Sequence, residues 1–397
     1  MMFLALINGA SIIPLFIPLI PQVLILIFTI KFFDLNVIKY YYQILFYITI
    51  MVVILITSFA SAALSDSESA LKYFKLLINS IFSIGLASAL IKVYGSDFRF
   101  FYVKYISIFV FMGIMGLMLV ELFDWNVVKS ISTREYHTNF LTTWLSDDGY
   151  NSSATTFSPF KYRLQSFFDE PGTFGVFVVP AFYQTLYSKN IKLTILLGVG
   201  IFLSESASAW VFSIMIIILQ PFQTKASFKK ILATLSILML IAILSYDYIL
   251  LLYNIKTGVD EAYANASSGE SKMADFLFLY ENYFNHIIPM QSNISLPGFS
   301  VSYVSWLLSS GWLFSLIILF SLILITHSLI VSRANSRSNG SFNFILLISI
   351  FFAGFQRSSF LDNIMFSTFF YWALMDSFFT RYLFVRGRVA QPLAVLR

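Results

Sequence analysis

Apolar runs separated by short polar turns dominate the chain from end to end. A bilayer core of roughly 30 Å needs about 20 apolar residues per helix. Eleven runs approach or exceed that length: Leu4–Ile30, Val37–Ala60, Leu71–Val93, Phe101–Phe123, Gly172–Tyr187, Ile191–Leu203, Ala207–Pro221, Ile231–Tyr253, Ser302–Val331, Phe342–Phe355 and Phe360–Phe379. Pro14, Pro18 and Pro21 interrupt the first, which they kink or divide into a hairpin. Ile191–Leu203 and Phe342–Phe355 are short for a span, and such helices are tilted, broken or sheltered by protein. The pattern predicts an all-α polytopic integral membrane protein with about eleven transmembrane helices, within a range of 10 to 12, in one domain over residues 1–397.

Two connections are far longer than the rest, 124–171 and 254–301, and long loops in compact proteins are functional or disordered. Their apolar and aromatic patches, Phe140–Leu145 and Phe276–Phe284, predict short helices lying on the outer membrane surface.

Composition agrees: 58% of residues are hydrophobic, 11% are charged, and mean hydropathy is +0.80. The absence of cysteine excludes disulfides, thiolate metal sites and a Cys nucleophile, while His137, His286 and His327 stand too far apart in sequence for ligand spacing. No metal or cofactor is therefore expected. A pI near 9.1 reflects topology rather than nucleic-acid binding. With the C-terminus cytoplasmic, Lys92, Arg99, Lys189, Lys192, Arg333 and Arg381 fall at inner ends, and most acids fall outside with both long loops. The first apolar run has no preceding charged region, so it is expected to persist in the mature chain.

One stretch brings polar chemistry to the entry of a span: Tyr162-Arg163-Leu164-Gln165-Ser166-Phe167-Phe168-Asp169-Glu170-Pro171-Gly172. Arg163 is able to hold phosphate or carboxylate with two parallel donors, and Glu170, seven residues on, is able to take a proton. The same residues also suit a capped helix start anchored at the interface. Further ionisable groups fall toward the same face on the predicted topology: Glu205 in Ser204-Glu205-Ser206, Asp247, and Arg357 in Gly354-Phe355-Gln356-Arg357. Charge in hydrocarbon is expensive, so such groups face a cavity or a partner. Together they describe a polar chamber open to the outside.

An Arg followed by two aromatics and Glu-Pro-Gly at a helix entry resembles the central signature of the bacterial O-antigen polymerase and O-antigen ligase superfamily. The Ser-rich turn Leu203 to Trp210 is similar to the turn that follows the motif helix there, with Glu205-Ser206 where members often have Arg-Gly. The second long loop offers Lys272 where an Arg is common. Ligases place a His near the entry to the next helix; this chain has Ser300 and Val301, which favours polymerase over ligase.

The resemblance implies a metal-independent polymerase at the periplasmic face of the bacterial inner membrane. It would join oligosaccharide repeat units carried on undecaprenyl pyrophosphate, with lipid-linked donor and acceptor, membrane lipid and a chain-length regulator protein as partners. In that reading Arg163, Arg357 and Lys272 neutralise the leaving pyrophosphate and Glu170 is the base, with Asp169 or Glu205 as substitutes. Tyr162 and Tyr303 stack on sugar faces. A lipid-linked oligosaccharide flippase is the competing class; it would place charges near the bilayer midplane and show related halves, neither of which the sequence displays. The ligase of the same superfamily differs chiefly in its acceptor.

Overall fold

The computed structural model describes residues 19–33, 67–123, 128–131, 136–139, 143–145, 162–164, 166, 168, 171–204, 206, 209–214, 216–217, 268–282, 338–353 and 364–385. It also describes positions 52, 56, 303–304, 307, 315, 318–319 and 321–326. The predicted spans Val37–Ala60 and Ile231–Tyr253 lie outside these residues, apart from 52 and 56.

The described chain is helical but for one small sheet. Its helices are α1 (Leu19–Phe32), α2 (Ser67–Tyr94), α3 (Phe98–Phe123), α4 (Pro171–Tyr187), α5 (Ile191–Leu203), α6 (Ser268–Asn282), α7 (Ser338–Ala353) and α8 (Ile364–Val385). A 3-10 turn, Gly95–Asp97, reverses the chain between α2 and α3. Helix α1 starts just after Pro18 with Pro21 in its first turn, where a missing N–H costs nothing.

Within 124–171, residues 143–145 of the expected helix over Phe140–Leu145 form a strand instead, and 140–142 lie outside the described residues. Val128–Ile131 (β1), Tyr136–Asn139 (β2), Thr143–Leu145 (β3) and Tyr162–Leu164 (β4) form an antiparallel meander in chain order. The segment is rich in Thr, Tyr, Val and Trp without the 3.6-residue apolar repeat, a composition that suits a pleated surface. In the second long loop the expected helix is present as α6. It exposes Phe276, Leu277 and Tyr280 and buries Asp275.

Aromatic side chains hold α3, α4, α7 and α8 together. Phe98 of α3 stacks on Trp372 of α8 with centroids 3.4 Å apart, and Tyr102 meets Phe342 of α7 and Phe369 of α8. The buried Tyr102 hydroxyl donates to the Phe177 carbonyl of α4 at 2.7 Å. These contacts fix directions: α3 and α7 run one way, α4 and α8 the other. Between α4 and α5 the chain turns tightly at Ser188–Asn190. Lys189 takes a left-handed conformation, φ 57°, the Asn190 N–H donates to the Thr185 carbonyl, and Asn190 Oδ1 caps α5 by accepting from the Leu193 N–H.

At the end of the bundle where α3 and α7 begin, Arg99 Nη2 donates to Asp376 Oδ2 at 2.7 Å. Asn343 Nδ2 donates to the same oxygen, also at 2.7 Å, and Phe342 lies under the guanidinium. Lys92, Lys189 and Lys192 belong to the same end, through the α2–α3 and α4–α5 turns.

The outer faces of the helices are apolar. Ile108, Phe111, Met112, Met115, Met118 and Leu122 form an exposed stripe along α3 at helical spacing, and Ile191, Ile195, Val199 and Phe202 form another along α5. Leu77–Tyr94 of α2 and Phe98–Leu119 of α3 are long and apolar enough to cross a membrane. Val23–Phe32, Ile191–Leu203 and Phe342–Ala353 are shorter apolar helices.

Candidate functional site

The motif stretch enters the bundle through alternate residues. Leu164, Ser166 and Phe168 are each at most 1% exposed. Leu164 ends β4, which is paired to β3 with Tyr162 opposite Leu145 and Arg163 opposite Trp144. Phe168 lies parallel to Phe177 with centroids 5.6 Å apart and meets Phe109 and Phe174 edge-on. Three aromatic neighbours thus grip the residue that precedes the two carboxylates in sequence.

Ser166 carries the turn. Its φ of 54° lies in the left-handed region, which costs a non-glycine residue about 1–2 kcal/mol. The buried hydroxyl donates to the Phe109 carbonyl of α3 at 2.6 Å, a tertiary hydrogen bond that helps offset this strain. Opposite it stands Gly113 of α3. A β-carbon there would come within 2.7 Å of Leu164 Cδ1, 3.1 Å of Ser166 Cβ and 3.2 Å of Ser166 Cα. Only glycine lets the two chains approach this closely.

The contacts also set depth. Helix α3 has 26 residues, a length of about 39 Å, and Phe109 is eleven residues, about 16 Å, from its start. Leu164, Ser166 and Phe168 are therefore seated against the middle of α3 rather than at its tip. Helix α5, at 13 residues, is only about 20 Å long, so α3 rises well past it.

A second turn lies beside the first. Gly175, one turn into α4, has so little clearance that a β-carbon would meet Ala209 Cβ at 2.6 Å and Ser206 Oγ at 3.4 Å. Ser204 Oγ donates to the Ile201 carbonyl at 2.7 Å and accepts from the Ser206 N–H at 3.3 Å. Ser206 Oγ accepts from the Ala209 N–H at 3.5 Å, the geometry of an N-cap, and the Trp210 N–H donates to the Ser206 carbonyl. The serines of the Ser-rich turn thus close one helix and open the next. Trp210 Nε1 ties the pair by donating to the Ile201 carbonyl at 3.0 Å.

The predicted site residues fall as follows. Tyr162 and Arg163 are described through the backbone of β4, and Lys272 through that of α6. Asp169, Glu170, Glu205, Asp247 and Arg357 lie outside the described residues. Tyr303, expected to stack on sugar, is 2% exposed and donates its hydroxyl to the Phe351 carbonyl at 2.8 Å. Its ring also packs on Phe351, so it acts as a packing residue that ties its segment to α7. Sequence reasoning missed Ser166, Gly113 and the Arg99–Asp376–Asn343 cluster. Asp376 within an apolar run was the available signal for the last. Comparison with protein-family models, curated proteins and solved structures finds no match to this chain.

Proposed function

We propose that this chain is a multi-pass membrane glycosyltransferase that joins oligosaccharide repeat units carried on undecaprenyl pyrophosphate, as an O-antigen or capsule polymerase does, at the periplasmic face of the bacterial inner membrane. The observation that carries the proposal is the seating of Leu164, Ser166 and Phe168, which lie between Arg163 and Glu170 in sequence, against the middle of α3. Non-helical backbone at membrane depth is tolerated where it is buried in protein or lines a watery cavity, and the buried Leu164, Ser166 and Phe168 meet the first condition. The apolar outer stripes of α3 and α5 support a lipid environment, and Lys92, Arg99, Lys189 and Lys192 at the opposite end support a cytoplasmic side there.

In the proposed reaction the acceptor sugar hydroxyl attacks the anomeric carbon of the donor. Glu170 accepts the hydroxyl proton, the new glycosidic C–O bond forms, and the bond between the anomeric carbon and pyrophosphate oxygen breaks. Its electron pair leaves on the lipid pyrophosphate. Arg163 and Arg357, with Lys272 from the second loop, neutralise that charge, and Asp169 or Glu205 are the substitutes for Glu170 as base. In a strain deleted for the chain, lipopolysaccharide should carry one repeat unit, and the intact chain should restore the long ladder. Arg163→Ala and Glu170→Gln should insert normally yet fail to restore it. Long polysaccharide in both variants would remove the roles given to these residues, and loss of even the single unit on deletion would point to the flippase or ligase class instead.

A further inference from the structure

Ser166, between Arg163 and Glu170 in sequence, fastens its part of the chain to α3, and nothing in the proposed reaction uses that fastening. Ser166 holds a left-handed φ of 54°, is fully buried, and donates to the carbonyl of Phe109 at 2.6 Å. Gly113, one helical turn beyond Phe109, provides the gap into which Ser166 and Leu164 fit. A single turn of α3 therefore sets both the depth and the curvature of the motif chain. Three residues before Ser166 stands Arg163; four residues after it stands Glu170.

We propose that Ser166 and Gly113 are positioning residues: together they fix the path of the chain so that Arg163 and Glu170 are presented to the same lipid-pyrophosphate sugar. This rests on the polymerase reading, but its physical part, the fastening of the chain at Ser166, is measurable without it through a label at position 163. Neither residue touches substrate. Their effect is on the separation and orientation of the groups that do, a quantity to which transfer rates are steep, since misplacement by about 1 Å costs on the order of a hundredfold.

The chain has no cysteine, so one introduced thiol is its sole target for a maleimide. Arg163→Cys is labelled with N-ethylmaleimide on the purified full chain in detergent micelles, alone and combined with Ser166→Gly or with Gly113→Ala. Asn190→Cys, in the exposed α4–α5 turn, serves as the control thiol. Ser166→Gly accepts the left-handed backbone and removes only the hydroxyl and β-carbon, so it keeps the test alive where Gly113→Ala fails to fold. The expected result is a severalfold change in labelling rate at position 163 in each variant that folds, with the control rate unchanged. In chains that retain Arg163, the same substitutions should lower polymer turnover on the order of tenfold or more while donor KM stays near its original value. Unchanged labelling and turnover in Ser166→Gly would overturn the positioning role. Loss of even the single repeat unit in the deletion strain would overturn the polymerase reading instead and leave the labelling result standing.

Discussion

Replacing Asp376 by Ala leaves two buried donors without their acceptor. The Arg99 and Asp376 side chains are only 9% and 16% exposed, and the Asn343 amide that shares the carboxylate oxygen is 1% exposed. Arg99 Nε already lacks a hydrogen-bond partner, so the Phe342 ring, 5.8 Å from the guanidinium carbon, is a weak substitute for the lost carboxylate. Breaking a buried pair by removing one partner costs about 3–5 kcal/mol, because the remaining charge is uncompensated. That is a factor of roughly a hundred to a few thousand in the folded-to-unfolded ratio. Arg99→Met should cost less, since Asp376 keeps the Asn343 donor and retains some water contact. The double variant Arg99→Met, Asp376→Leu should recover most of the loss, as apolar replacements of buried ion pairs are often neutral or stabilising. Equilibrium unfolding of the purified chain in mixed micelles with increasing denaturing detergent gives all three values. A loss under about 1 kcal/mol for Asp376→Ala, or a double variant as unstable as the single one, would refute a desolvated pair joining α3, α7 and α8.

Substitutions at three further positions probe the packing and the lipid-facing surface. Gly200→Ala places a β-carbon 2.6 Å from Val110 Cγ1 and should destabilise the α3–α5 contact by about 1–3 kcal/mol in the same unfolding experiment. Lys189→Gly removes left-handed strain at φ 57° in an exposed turn and should raise stability by up to about 1 kcal/mol, a gain that Lys189→Val, β-branched at positive φ, should reverse. Met115→Arg sets a charge in the exposed apolar stripe of α3 and should disfavour insertion by up to about 2.5 kcal/mol, the lower figure for a helix centre, seen as a smaller membrane-integrated fraction in a glycosylation-based insertion assay; unchanged insertion would contradict a lipid-facing stripe.

The helices were legible wherever length and apolar continuity decide the matter. The run Ile191–Leu203 is bounded by the same residues as α5, and Gly172–Tyr187 misses only the first residue of α4, because capping and turn residues mark those ends locally. The sheet was not legible. Its strands are three or four residues long and depend on pairing across chain separations that a local window does not span. Ser166 was hidden for another reason: a serine in a left-handed turn looks like any loop serine until Gly113 and the Phe109 carbonyl are opposite it. Arg99 was read only as a topological charge, without Asp376 as its partner. They are 277 residues apart, and the contact between them is a product of tertiary structure.

Transfer by the purified chain in liposomes tests the central claim most directly. The donor is an oligosaccharide on undecaprenyl pyrophosphate, a chelator is present, and no nucleotide sugar is added. Polymerase activity predicts lipid-linked products at multiples of the starting length, release of undecaprenyl pyrophosphate in step with them, and loss of both in Arg163→Ala and Glu170→Gln. Unextended substrate with the intact chain, or equal extension by the two variants, would contradict it.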